Sequence, residues 1–299
     1  MNLDIGLVGY GEVGKVFASG LQAKTGRWAG AWDLKFTDPA LREAERGHAA
    51  AHGVEPCASA ADLCGKANLI ISAVTASNTL AVAQEVARSI RPGALFLDLN
   101  SASPGTKAQC AALIDAAGGH YVEAGVMTSV PPYGIKVPML LGGARAAELA
   151  GVLTGWGMNA TAVSEKIGVA SAIKMCRSVM IKGLEAIVIE SYSTARAYGV
   201  EEHMIPTLYE TFPGIDWNKQ GAYFFSRVAQ HGKRRAEEMR EAANTVLEAG
   251  FTPYMAAAIA EKHDWVAQQS RAGVFAGLPK DAGWQDYADR LLQQSRQDK

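Results

Sequence analysis

Three glycines close to the amino terminus constrain this chain more than any other feature. Gly9, Gly11 and Gly14 stand in the spacing G-x-G-x-x-G, after an apolar run from Ile5 to Val8 with strand character and before a helical stretch over 13–21. In that setting each glycine has its own task. Gly9 allows the tight turn, Gly11 removes a side chain that would block phosphates, and Gly14 lets the helix pack against the strand. The helix start then offers unpaired N–H groups to an anion. The run Gly9-Tyr10-Gly11-Glu12-Val13-Gly14 is therefore expected to hold the pyrophosphate of a dinucleotide.

The first half continues in a βα rhythm. Short aliphatic runs predict strands over 4–8, 34–37, 69–73, 95–98, 120–124 and 139–142, and alanine-rich stretches predict helices over 13–23, 40–52, 79–89 and 105–117. Continuous apolar strands such as Leu69-Ile-Ile-Ser-Ala73 suit a parallel sheet covered on both faces. Ligands in such sheets bind beyond the carboxyl ends of the strands. From about Val169 to Tyr198 the pattern becomes one long helix, with Gly183 as its single internal glycine and no proline. The remainder reads as helical, broken at Pro206, at Phe212-Pro-Gly214, at Gly250 with Pro253 and at Gly277 with Pro279. The expected architecture is α/β, a Rossmann-type amino-terminal domain over 1–165 followed by a mostly α-helical carboxy-terminal domain over 166–299.

Charge narrows the partners. Lys plus Arg (29) nearly balances Asp plus Glu (30), so no overall field attracts nucleic acid or an anionic membrane. No apolar run approaches the ~20 residues of a membrane span. The strand starting beside Met1 leaves no room for a signal peptide, which points to the cytoplasm. Cys57, Cys64, Cys110 and Cys176 lack metal-ligand and disulfide-scaffold spacing and read as reduced thiols or small core residues. No metal site is expected.

The predicted strand ends carry the candidate chemistry. Asp38 closes the second predicted strand, where a carboxylate can accept hydrogen bonds from an adenosine ribose and repel a 2′-phosphate, favouring NAD over NADP. Arg42, one turn on, complicates that preference, and Asp38 before Pro39 could equally cap the next helix. Ala73, Val74, Thr75 and Asn100 should border the cofactor. In Asp98-Leu-Asn-Ser-Ala-Ser-Pro104, Asn100 and Ser101 stand where a substrate would lie, while Ser101 or Ser103 could cap the helix entered at Pro104. Val126, Met127 and Thr128 follow the strand at 120–124 in a polar turn. On the long helix Lys174, Ser178 and Lys182 share one face. A lysine beside a nicotinamide can exchange a proton with an alcohol, although a lone helical lysine is as a rule solvated.

Together these segments resemble the β-hydroxyacid dehydrogenase family, which includes 3-hydroxyisobutyrate and 6-phosphogluconate dehydrogenases, over most of the first ~200 residues. The glycine loop matches the family's cofactor loop. Asp98 to Pro104 is similar to its D-x-S-T-x-x-P motif, with Asn100 and Ser101 on the Ser and Thr, and Glu123 to Ser129 takes the place of D-x-x-V-S-G-G, keeping Val126. The resemblance puts Lys174 on the catalytic lysine. It also marks departures: Ser178 replaces the usual asparagine, and Ile181 replaces the glutamate that 6-phosphogluconate dehydrogenase uses, so decarboxylation of that sugar acid is not expected. Imine reductases share the architecture but usually replace the lysine. The run His231-Gly-Lys-Arg-Arg-Ala-Glu-Glu-Met239 resembles a subgroup whose carboxy-terminal domain has no assigned role. There His231, Arg234 or Arg235 could grip a carboxylate, or the run could be a solvated helix face.

The expected function is hydride transfer between NAD (NADP being the alternative) and a small anionic hydroxy acid or its oxo form. Lys174 serves as general acid and base, Ser101 and the 126–129 loop hold the substrate, and the second domain closes over it. An imine reductase and a non-catalytic dinucleotide-binding redox sensor are the rival classes. The family resemblance implies a homodimer packed through its helical domains.

Overall fold

The computed structural model describes residues 3–297. Their contacts divide into two units, one up to Cys176 and the other from Arg177 onward. The sequence places the division at 165/166 instead; the contacts put the first two turns of the long helix with the amino-terminal unit.

In the amino-terminal unit, among the described residues, eight strands form one sheet: β1 (Ile5–Val8), β2 (Ala29–Trp32), β3 (Glu55–Pro56), β4 (Leu69–Ser72), β5 (Leu95–Asp98), β6 (His120–Val126), β7 (Met139–Gly142) and β8 (Ala160–Ser164). Their order is β3-β2-β1-β4-β5-β6-β7-β8. Pairing is parallel except between β6 and β7, which run antiparallel, so the expected parallel sheet gains a reversed edge pair. Helices α1 (Glu12–Thr25), α2 (Arg42–Ala51), α3 (Ala60–Lys66), α4 (Thr79–Ala87), α5 (Pro104–Ala116) and α6 (Ala146–Gly155) connect the strands. The residues of β1, β2, β4 and β5 are all buried, as a sheet covered on both faces requires.

One strand is displaced from its expected place. Residues 34–37 do not form a strand; Leu34–Phe36 is a single 3₁₀ turn, capped by Asp33, whose side chain accepts the Lys35 N–H. The strand is Ala29-Gly-Ala-Trp32, paired with β1 and β3. Alanine and glycine have weak strand preference, and here the sheet overrides it. Gly30 is needed in that strand, because a Cβ would stand 2.5 Å from the Trp28 ring.

The carboxy-terminal unit is helical. It takes most of α7 (Val169–Tyr198), then α8 (Glu201–Thr211), α9 (Trp217–Glu248), α10 (Tyr254–Arg271) and α11 (Trp284–Gln297). The long helix has the ends expected from its sequence. Pro206 does not break the chain as expected: α8 runs through it, giving up one backbone hydrogen bond. Tyr192, Phe225, Val228 and Trp284 form the centre of this unit's core. Gly221 lets α9 approach closely, since a Cβ there would lie 2.7 Å from the Tyr192 ring.

Candidate active site

The glycine loop has the shape that its spacing calls for. Gly9 has φ +97°, and a Cβ on it would stand 2.4 Å from the carbonyl oxygen of Ala73. A Cβ on Gly14 would lie 2.0 Å from the oxygen of Gly9. Both glycines are demanded by the protein itself. Gly11 differs, because a Cβ there would meet no protein atom within 4 Å. Packing therefore gives no reason for a glycine at that position, whereas close approach of a pyrophosphate does. No side chain caps α1, so the positive end of its dipole stands open to the same anion. The loop thus fits a dinucleotide.

Tyr10 takes part through its backbone alone. Its side chain is fully buried, with its hydroxyl 3.1 Å from His48 Nδ1 and its ring against Phe36. Burial, aided by Glu45, pushes the phenol up to about 12. Its N–H donates to Asp33 Oδ2 at 2.6 Å. Because β2 ends at Trp32, the carboxylate at the strand end belongs to Asp33, not Asp38. Asp38 lies in the turn before α2, accepting the Ala40 N–H at 2.8 Å as a local cap. The signal was present in the spacing: Asp33 follows Gly14 by 19 residues, close to the ~20 at which such a carboxylate is expected.

The ends of β4 and β5 are locked to each other and to the loop. Ala73 and Val74 abut Gly9. Asn100, 3% exposed, accepts the Val74 N–H at 2.7 Å through Oδ1 and donates to Ser72 Oγ at 2.8 Å. It braces two strand ends, so its side-chain amide, expected to face substrate and cofactor, is engaged within the protein. Thr75 receives a hydrogen bond from Asn78 at the entry to α4. Below the brace, Asp98 accepts from the Asn100 N–H, from Lys107 Nζ at 3.1 Å and from the Tyr121 hydroxyl at 2.6 Å. Lys107 is wholly buried, and burial together with Asp98 holds the Tyr121 phenol well above its usual pKa. Nothing in the sequence marks Lys107, because its partner lies nine residues away across a loop.

Ser103 caps α5 by accepting the Thr106 N–H. The cap therefore falls on Ser103, and Ser101 has another partner: Lys174 Nζ donates to Ser101 Oγ at 2.5 Å. Two of the expected site residues, 73 positions apart, are thus brought together. Of the third segment, Val126 and Met127 are half-buried at the end of β6 and Thr128 is exposed. Glu123, fully buried at the centre of that strand, accepts backbone N–H groups at the start of α7.

In the carboxy-terminal unit two of the expected carboxylate-gripping residues, Arg234 and Arg235, stand against the protein's own carboxylates. Lys182 pairs with Glu238 at 2.7 Å and donates to Ser178, which is buried. Arg235 grips Glu185 with two nitrogens, and Arg234 stands 3.9 Å from Glu238. His231 is half-buried on the same helix. His263 is completely buried, with Nε2 3.8 Å from Glu185. Burial, together with Arg235 and Lys182, brings its pKa down to about 3.

A Rossmann-type sheet with its glycine loop, followed by an all-helical unit, defines a dinucleotide-binding protein of the dehydrogenase type. Residues 4–152 match the model of the NAD binding domain of 6-phosphogluconate dehydrogenase, and residues 195–266 match a domain of unknown function, DUF1932. A conserved hypothetical protein from Sinorhizobium meliloti is 41% identical, with 98% of this chain and 97% of that one covered and a TM-score of 0.77. The conserved protein MTH1747, described as structurally similar to 3-hydroxyacid dehydrogenases, is 30% identical over 90% of this chain and 98% of its own, with a TM-score of 0.69. A 3-hydroxyisobutyrate dehydrogenase from Mycobacterium tuberculosis, solved with L-serine, shares the fold (TM-score 0.71; 97% and 99% covered) at 18% identity. The chain belongs to the β-hydroxyacid dehydrogenase family, in a branch with a divergent carboxy-terminal domain. Its amino-terminal unit is an NAD(P)-binding domain, which supports an NAD(P)-dependent oxidoreductase.

Proposed function

We propose that this protein transfers a hydride between a nicotinamide cofactor and a small hydroxy acid or its oxo form, with Lys174 as general acid and base. The observation that carries this reading is the 2.5 Å contact between Lys174 Nζ and Ser101 Oγ. It sets an amine and a hydroxyl side by side, one able to move a proton and the other able to orient an alcohol or carbonyl oxygen. The cofactor, held by the glycine loop and by Asp33 at the end of β2, supplies the hydride acceptor or donor. A carboxylate at Asp33 favours the free ribose of NAD over the 2′-phosphate of NADP. Lys174 takes the hydroxyl proton during oxidation and returns it during reduction, while Ser101, Val126, Met127 and Thr128 hold the oxygens of the acid.

Replacing Lys174 with Met should remove nearly all turnover on a panel of hydroxy acids, assayed with NAD and with NADP, while NADH still binds. Turnover within a few-fold of the parent would sink the assignment. NADH binding with no turnover of any hydroxy acid or cyclic imine by the parent would favour a redox sensor instead. We also propose a homodimer: Met180 and Ile187 lie exposed seven residues apart on α7, an apolar stripe suited to a second copy. The mass of the protein in solution decides it.

A further inference from the structure

Lys174 can meet Ser101 only if α7 enters the amino-terminal unit at one axial position and one rotation. The start of that helix is unusual. Gly168 accepts the first helical N–H, from Ala172, and so occupies the capping position, yet it has no side chain with which to cap. Its φ of +100° suits glycine and turns the chain sharply into the helix. The missing acceptor comes from β6. Glu123 Oε1 accepts the N–H groups of Gly168 at 2.8 Å and Ala170 at 2.9 Å, and Oε2 accepts that of Ser171 at 3.3 Å. A wholly buried carboxylate thus serves three otherwise unmet donors at the positive end of a thirty-residue helix.

Two further glycines hold this arrangement in place. A Cβ on Gly142, across the β6–β7 pair, would stand 2.5 Å from Glu123 Oε1, so the carboxylate uses the space that Gly142 leaves. A Cβ on Gly125 would lie 2.9 Å from the oxygen of Ala170 and 3.4 Å from Cβ of Lys174, so β6 is also the surface on which the first turn rests. Ala170, held by Glu123, is one helical turn before Lys174. Each residue advances a helix by about 100°, so a slip of one residue at the cap would carry Lys174 away from Ser101.

We infer that Glu123 is a positioning residue for Lys174: by clamping the first turn of α7 to β6, it sets where the lysine amine stands. The inference rests on the proposed role of Lys174 for its meaning, but its test does not depend on turnover. Competitive acetylation of the full-length protein with acetic anhydride, across pH and read by mass spectrometry, reports the reactivity of Lys174 against exposed Lys136. Cooperative thermal unfolding certifies that each variant is folded.

Glu123→Gln should change the relative labelling of Lys174 at least threefold or displace its pH midpoint by at least half a unit. Glu123→Asp should fall between that variant and the parent. Gly142→Ala keeps the charge but crowds the carboxylate, and it should act in the same direction as Glu123→Gln. Adding Glu123→Asp to Gly142→Ala should bring labelling back towards the parent, because the shorter side chain vacates the crowded space. Should Glu123→Gln fail to fold, the Gly142→Ala and Glu123→Asp cycle alone decides. Folded variants whose Lys174 labels within 1.5-fold of the parent at every pH would overturn the inference. If labelling shifts as expected while Lys174→Met retains turnover, the clamp stands and the acid–base role falls.

Discussion

Each unit buries a set of charged side chains, and the two sets are built on different terms. In the amino-terminal unit one carboxylate, Asp98, gathers a lysine, a phenol and a backbone N–H. In the carboxy-terminal unit two ion pairs, Lys182 with Glu238 and Arg235 with Glu185, flank His263, whose ring nitrogens have no hydrogen-bond partner among the described residues. Buried ion pairs add little net stability over apolar packing, because desolvation offsets attraction. What they confer is geometry in one case and sensitivity to protonation in the other. The Asp98 set fixes the path of the chain into Asn100 and Ser101; the histidine set leaves a neutral base between two cations.

The largest expected difference comes from breaking one pair in each set. Lys107→Met strands the Asp98 carboxylate, 1% exposed, away from water. It should destabilise the protein by about 3–5 kcal/mol, read by urea unfolding. Arg235→Met strands Glu185 likewise, but His263 stands 3.8 Å away and can take up a proton as a replacement cation. The loss should therefore be smaller, about 2–3 kcal/mol. The His263 ring, freed of the Arg235 charge that helps to depress it, should titrate at higher pH in that variant, as seen by NMR. Equal losses for the two variants, with an unmoved histidine, would erase the distinction between the sets.

Legibility in the sequence follows the range of the interactions. The glycine loop and the ends of α7 were readable because turn sterics and helical periodicity are local. Ala29–Trp32 was not, since alanine and glycine have no strand signal of their own and only pairing with β1 makes them a strand. That displaced strand moved the carboxylate at the strand end from Asp38 to Asp33. The basic run on α9 was half readable: Gly232, Arg235, Ala236 and Met239 follow the i, i+3, i+4, i+7 spacing of a buried face, which separates Arg235 from exposed Lys233. The clamp of Glu123 on α7 spans 45 residues or more and leaves no pattern in a single chain.

The smallest effect, and the most selective, concerns His263 alone. An unfolded histidine titrates near 6.5, whereas this one is held down to about 3. Between those values the unfolded chain carries a proton that the folded chain refuses, so stability is complete above the unfolded pKa and falls as the pH drops through the window. At pH 5 the loss from this residue should reach about 2 kcal/mol. His263→Gln, which cannot titrate, should unfold with a correspondingly flatter dependence between pH 7 and pH 5. Identical slopes for the parent and His263→Gln would place the acid sensitivity elsewhere, and the carboxy-terminal set would then lose the sensitivity to protonation that separates it from the one around Asp98.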